Sequence, residues 1–141
     1  MIFAESITTP ANTSAADYKT SMIKITDGVI HEVTIIFPAG CAGLVYFQLF
    51  DGGHQFIPST YGQYLRGDAI DITSKEFYEI NTAPRWLTAR TWNLDTKYEH
   101  TVEVLVKILP KSVLLPVGAY EGVVKSIQSI IVNRGRNGGG G

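Results

Sequence analysis

The segment from Gly28 to Ser59 constrains this chain more than any other. Between Val29 and Phe37 one parity carries Val29, His31, Val33, Ile35 and Phe37, and the other carries Ile30, Glu32, Thr34 and Ile36. Successive side chains of an extended strand point to opposite faces, so this pattern predicts a strand with one apolar and one mixed face. Pro38-Ala39-Gly40 and Gly43 interrupt it, because Pro lacks the ladder donor and Gly adopts backbone angles that other residues avoid. Leu44 to Phe50 then sets Val45, Phe47 and Leu49 against Leu44, Tyr46, Gln48 and Phe50, apolar enough for both faces to be covered. Asp51-Gly52-Gly53 is hairpin chemistry ahead of His54 to Pro58. The expectation is a three-stranded antiparallel meander at the centre of an all-β domain.

The flanking segments extend the same logic. Ile2 to Thr9 reads as a short strand, and the small polar run Pro10 to Ala16 makes residues 1–17 an N-terminal arm. Tyr18 to Thr26 alternates Ile23 and Ile25 with Lys24 and Thr26. Thr60 to Gly67 is a loop with two tyrosines and an arginine; two short strands follow, Asp68 to Thr73 with Ile70 and Ile72 inward, and Glu76 to Ile80. Trp86 to Leu94 puts Trp86, Thr88, Arg90 and Trp92 on one face, and Asn93 to Lys97 is turn chemistry, since Asn and Asp side chains bond their own backbone. Tyr98 to Leu109 alternates most cleanly, with Val102, Val104, Val106 and Ile108 inward against Thr101, Glu103 and Lys107. About eight strands with short turns predict an antiparallel β-sandwich or jelly roll over residues 18–110, with a barrel as the alternative closure.

Past Pro110 the pattern changes. Tyr120, Val123, Val124, Ile127, Ile130 and Ile131 recur at helical spacing within an apolar C-terminal extension, residues 111–133. Period favours a helix there, whereas Gly122 and the β-branched residues favour a strand. A Gly-rich tail, residues 134–141, follows.

Composition removes several function classes. The 141 residues make one domain with room for a core, and 12 Lys and Arg balance 13 Asp and Glu, so no field draws nucleic acid. The single cysteine, Cys41, excludes an internal disulfide and disfavours a cysteine-built metal site. The first residues have neither a basic start nor a sustained apolar core and do not read as a secretion signal. No apolar run approaches the ~20 residues that span a bilayer, so no membrane partner is expected.

No catalytic constellation emerges. His31, His54 and His100 match no zinc spacing, Cys41 has no neighbouring base, and the acids fall on solvent faces of strands. The reading is no enzyme, no metal and no cofactor. Tyr61, Tyr64, Trp86 and Trp92 are the candidate ligand-facing aromatics, a platform on which a sugar could stack.

Gly28-Val29-Ile30-His31, Pro38-Ala39-Gly40-Cys41-Ala42-Gly43-Leu44, Gly52-Gly53-His54-Gln55 and Trp92-Asn93-Leu94-Asp95 together resemble small β-sandwich proteins encoded among the structural genes of tailed bacteriophages. The resemblance runs from about Ser6 to Pro110. It implies a virion component made in the host cytoplasm, a capsid decoration, vertex or tail accessory protein whose partners are copies of itself and other virion proteins. It carries no catalytic residues. The stripe from Tyr120 to Ile131 lies outside it and is the candidate assembly element, because an apolar stripe must be covered. The alternative is a carbohydrate- or receptor-binding module with a glycan as partner.

Overall fold

The computed structural model describes residues 1–80 and 86–110. Its strands, in chain order, are β1 (Ile2–Thr9), β2 (Lys19–Lys24), β3 (Gly28–Phe37), β4 (Val45–Asp51), β5 (His54–Ile57), β6 (Leu65–Arg66), β7 (Ile70–Ile80), β8 (Trp86–Asn93) and β9 (His100–Leu109). They form two antiparallel sheets, one ordered β1-β9-β3-β7 (sheet A), the other β2-β8-β4-β5 with β6 also on β4 (sheet B). The protein is an all-β sandwich, and the only helical element among the described residues is a 3₁₀ turn at Ala15–Asp17. Met1–Ile108 is one compact unit.

Alternation builds the core. Val102, Val104, Val106 and Ile108 of β9 are fully buried in one cluster with Val33, Ile35 and Phe37 from sheet A and Val45, Phe47, Leu49, Leu87 and Ala89 from sheet B. Two inward faces of apolar β-branched and aromatic residues packed together are how a sandwich closes.

Four expectations are corrected. The meander does not form, because β3 lies in sheet A while β4 and β5 form a hairpin in sheet B. The turn between them carries the chain from one sheet to the other: Gly40, Ala42 and Gly43 have φ of 97°, 50° and 71°. Asp68 Oδ1 fixes it by accepting from the N–H groups of Gly40 at 2.9 Å and Ala42 at 3.2 Å. Second, the N-terminal stretch is no arm. Every residue of β1 pairs with β9, and Ile7 enters the core. Third, residues 70–80 form one strand, in which Ile72 packs on the core but Ile70 is exposed. Fourth, the parity of β3 breaks at His31, where the register of β3 on β7 shifts between Ile30 and Glu32. That bulge turns Ile30 into the core and leaves His31 half-buried, its Nδ1 3.0 Å from the Lys107 carbonyl.

One end of the sandwich is tied by side chains. Asn93 is fully buried; its Nδ2 donates to the Thr9 carbonyl at 3.2 Å and the Tyr98 carbonyl at 2.9 Å, and its Oδ1 accepts from Asp95 N at 2.9 Å. Backbone bonds of 2.9 Å join Thr13 and Asn93 in both directions, and Leu94 N reaches Leu44 O at 2.9 Å. The connections after β1, β3 and β8 thus meet at one point. The assembly residues Tyr120, Val123, Val124, Ile127, Ile130 and Ile131, and the helix expected across residues 111–133, lie outside the described residues.

Candidate functional site

The outward face of sheet B carries the densest aromatic and cationic surface among the described residues. Register puts it there: Tyr46 pairs with Trp92, Gln48 with Arg90 and Phe50 with Thr88, while their neighbours Val45, Phe47 and Leu49 face the core. Adjacent strands therefore place large side chains side by side, the contact that stabilises a sheet face.

Two clusters result. In the first, the rings of Tyr46 and Trp92 stack with centroids 5.3 Å apart and planes 3° apart. Tyr64, from the loop before β6, stands edge-on to Tyr46 at 4.7 Å and to Trp92 at 5.7 Å. Arg66 lies 5.7 Å from the Tyr46 ring centre and donates through Nη1 to its hydroxyl at 3.1 Å. In the second cluster the Arg90 guanidinium sits between two rings, 4.7 Å from Tyr18 and 4.2 Å from Phe50. A cation over a ring face is attracted by the ring quadrupole, about 0.5–2 kcal/mol per contact.

Gln48 and Gln55 hold the loop that follows β5. Gln48 Nε2 donates to Gln63 O at 2.9 Å, and Gln55 Nε2 reaches the carbonyls of Pro58 at 2.8 Å, Thr60 at 3.1 Å and Gln63 at 2.9 Å. This loop lies against the β4–β5 half of the face.

The sequence-nominated aromatics divide. Tyr64 and Trp92 meet, whereas among the described residues no ring contact joins Tyr61 or Trp86 to them. Trp92 is only 7% exposed and Tyr46 8%, so their ring faces are spent on each other. Tyr61 is 83% exposed and Trp86 40%. Sequence reasoning missed Tyr18, Tyr46, Phe50 and Arg90. The alternation of β4 held the signal for Tyr46 and Phe50, and the pairing with β8 was needed to use it.

The remaining chemistry-bearing groups stand apart. His100 Nε2 is 2.8 Å from Asp95 Oδ2. The Lys97 backbone N–H, and then His100, hold the Asp95 carboxyl below the usual carboxylate range. Burial, and then its hydrogen bond to Asp51 Oδ2 at 2.7 Å, pushes the Tyr78 phenol up to about 12. Burial pushes the Cys41 thiol up as well, which disfavours the nucleophilic thiolate. Among the described residues no group of three or more His, Cys, Asp and Glu side chains converges as metal ligands. No protein-family model matches this chain, and no curated protein matches it.

Proposed function

We propose that the chain is a non-enzymatic structural protein of a tailed-phage particle, a capsid decoration, vertex or tail accessory subunit that acts by associating with copies of itself and with other particle proteins. The observation that carries this reading is the pair of strand orders, β1-β9-β3-β7 against β2-β8-β4-β5. Two interleaved Greek keys give that order with β6 as a short addition, which supports taking the sandwich as a jelly roll, an architecture shared by capsid and lectin domains.

Architecture hosts many functions, so the surface must choose between these two. A glycan platform needs an open ring face. The Tyr46 and Trp92 faces are closed on each other, while of the nominated aromatics Tyr61, Tyr64 and Trp86 offer rings to solvent, which is what favours the glycan reading at all. Tyr, Trp, Met and Arg on a half-covered sheet face suit protein contact instead, being the types enriched where protein interfaces are driest. In the same reading the extension 111–133, with Tyr120, Val123, Val124, Ile127, Ile130 and Ile131, docks on a neighbouring chain as a second contact.

Deleting the reading frame from the phage genome, with complementation in trans, tests the proposal. Particles that are absent, incomplete or less stable, and restored by complementation, are expected. Particles of unchanged yield, stability and remaining composition would refute it.

A further inference from the structure

We propose that the β2–β8 half of the outward face of sheet B is a self-association surface, on which Arg90 binds a carboxylate of a second copy of this chain. This rests on the assembly reading and names the surface through which it acts.

Coverage of the face is uneven. The loop held by Gln48 and Gln55 occupies the β4–β5 side, while among the described residues Met22 and Trp86 on the β2–β8 side stay exposed. On that side Lys24 pairs with Trp86 and Met22 with Thr88, so Met22 and Trp86 are diagonal neighbours on one face. Met22 is 55% exposed and Trp86 40%, which puts two of the largest apolar side chains side by side in water. Trp is among the residue types enriched at the few positions that dominate binding interfaces.

Arg90 supplies the polar half of the site. Its row-mates across the sheet are Thr20 and Gln48, both neutral, and the Gln48 amide is already engaged with Gln63 O. Among the described residues no ion pair involves Arg90; the two ion pairs there are His100–Asp95 and Lys107–Glu32. Asp17, next to the Tyr18 that covers Arg90, accepts from Ser14 Oγ at 3.2 Å. With Tyr18 and Phe50 against it, the guanidinium is held in place and partly dried, so little side-chain freedom is lost when its N–H fork takes a carboxylate.

Charge selects the occupant. Residues 1–110 hold 8 Lys and Arg against 12 Asp and Glu. The outward strand positions of sheet B nevertheless carry Lys24, Arg66 and Arg90 and no acid. All the carboxylates of that segment therefore lie elsewhere, among them Glu103 and Asp71 on the outward side of sheet A, where they pair with Ser6 and Ile36. Over residues 1–110, a cationic, apolar face on an otherwise acidic segment is complementary to the carboxylates elsewhere in the same segment. Such a contact is heterologous, and heterologous contacts generate rings or open arrays, as a particle lattice requires.

The test is sedimentation equilibrium of the full chain, at low and high salt, for wild type, Arg90→Gln, Arg90→Lys and Trp86→Ala, each checked for an unchanged melt. Wild type is expected to associate and to weaken with salt. Arg90→Gln should weaken association ~10-fold or more, the loss of one charge-assisted contact, with Arg90→Lys intermediate. Trp86→Ala should weaken it at both salt levels. If Arg90→Gln does not fold, the Lys and Trp86 variants carry the comparison. A monomeric wild type, or variants that associate like wild type, overturns the proposal. So does Arg90-dependent binding of acidic oligosaccharides by a chain that stays monomeric. Particles that incorporate Arg90→Gln as well as wild type would overturn this surface and leave the assembly reading standing.

Discussion

Replacing Asn93 tests the packing logic of the loop end most sharply. The side chain is fully exposed to no solvent and makes three hydrogen bonds, to Thr9 O, Tyr98 O and Asp95 N. Asn93→Ala strands these three groups. A buried polar group left without a partner costs about 1–3 kcal/mol, and two of the three bonds are only partly buried, so the total is about 3–5 kcal/mol. At ~3–6 °C per kcal/mol for a chain of this size, the melt falls by about 10–20 °C. Asn93→Asp keeps the shape and the bond from Asp95 N but aims an oxygen at two carbonyls. The carboxylate is disfavoured there, so its folded-state pKa lies above the ~3.9 of the unfolded chain. A raised folded-state value means that the Asp variant is least handicapped below the unfolded pKa and loses ground as pH rises through the folded one. Calorimetric melts of wild type and both variants between pH 4 and pH 8, about the range in which such an acid titrates, measure this. A wild-type melt for Asn93→Ala, or a deficit in Asn93→Asp that ignores pH, would refute the reasoning.

Other expectations follow from the same packing. Val104→Ala, at a fully buried site, should cost about 2–3 kcal/mol in chemical denaturation, and Val104→Asp should prevent folding; a soluble, cooperatively melting Asp variant would contradict the core assignment. Tyr78, raised to about 12, should ionise after ordinary tyrosines, and Asp51→Asn should bring it down; an unchanged phenolate titration counts against the Asp51 bond. Because the folded value exceeds the ~10 of an unfolded tyrosine, the stability tied to Tyr78 is complete below pH ~10 and is lost as pH rises through the folded value. A chain ending at Pro110 should keep a cooperative melt, since Met1–Ile108 is a compact unit, and should associate more weakly. If it unfolds, the extension belongs to the chain's own core.

How much of this was legible in the sequence depended on whether the signal was local. The inward set Val102, Val104, Val106 and Ile108 follows from period alone, and all four are buried. The turn after Phe37 was also visible in its glycines. That it changes sheets was not, because Pro38 to Leu44 fits a hairpin equally well, and Asp68, which fixes the turn, lies 28 residues from Gly40. Ile2–Thr9 reads as a strand, as it is, and the polar run behind it, which suggests a linker, makes it read as an arm as well. What holds it is pairing with β9, about a hundred residues away. Trp92 was nominated by type and parity, yet whether its ring is open or closed depends on Tyr46 opposite it, and only the register of β4 on β8 supplies that.

The central claim is that this chain is a particle component rather than a catalyst or a free binding module. Quantitative mass spectrometry of phage particles purified through successive density gradients measures it most directly. The account predicts the chain at a fixed copy number per particle, unchanged by further purification. Its absence, or a level that falls with each gradient as a carried-over soluble protein would, contradicts the account.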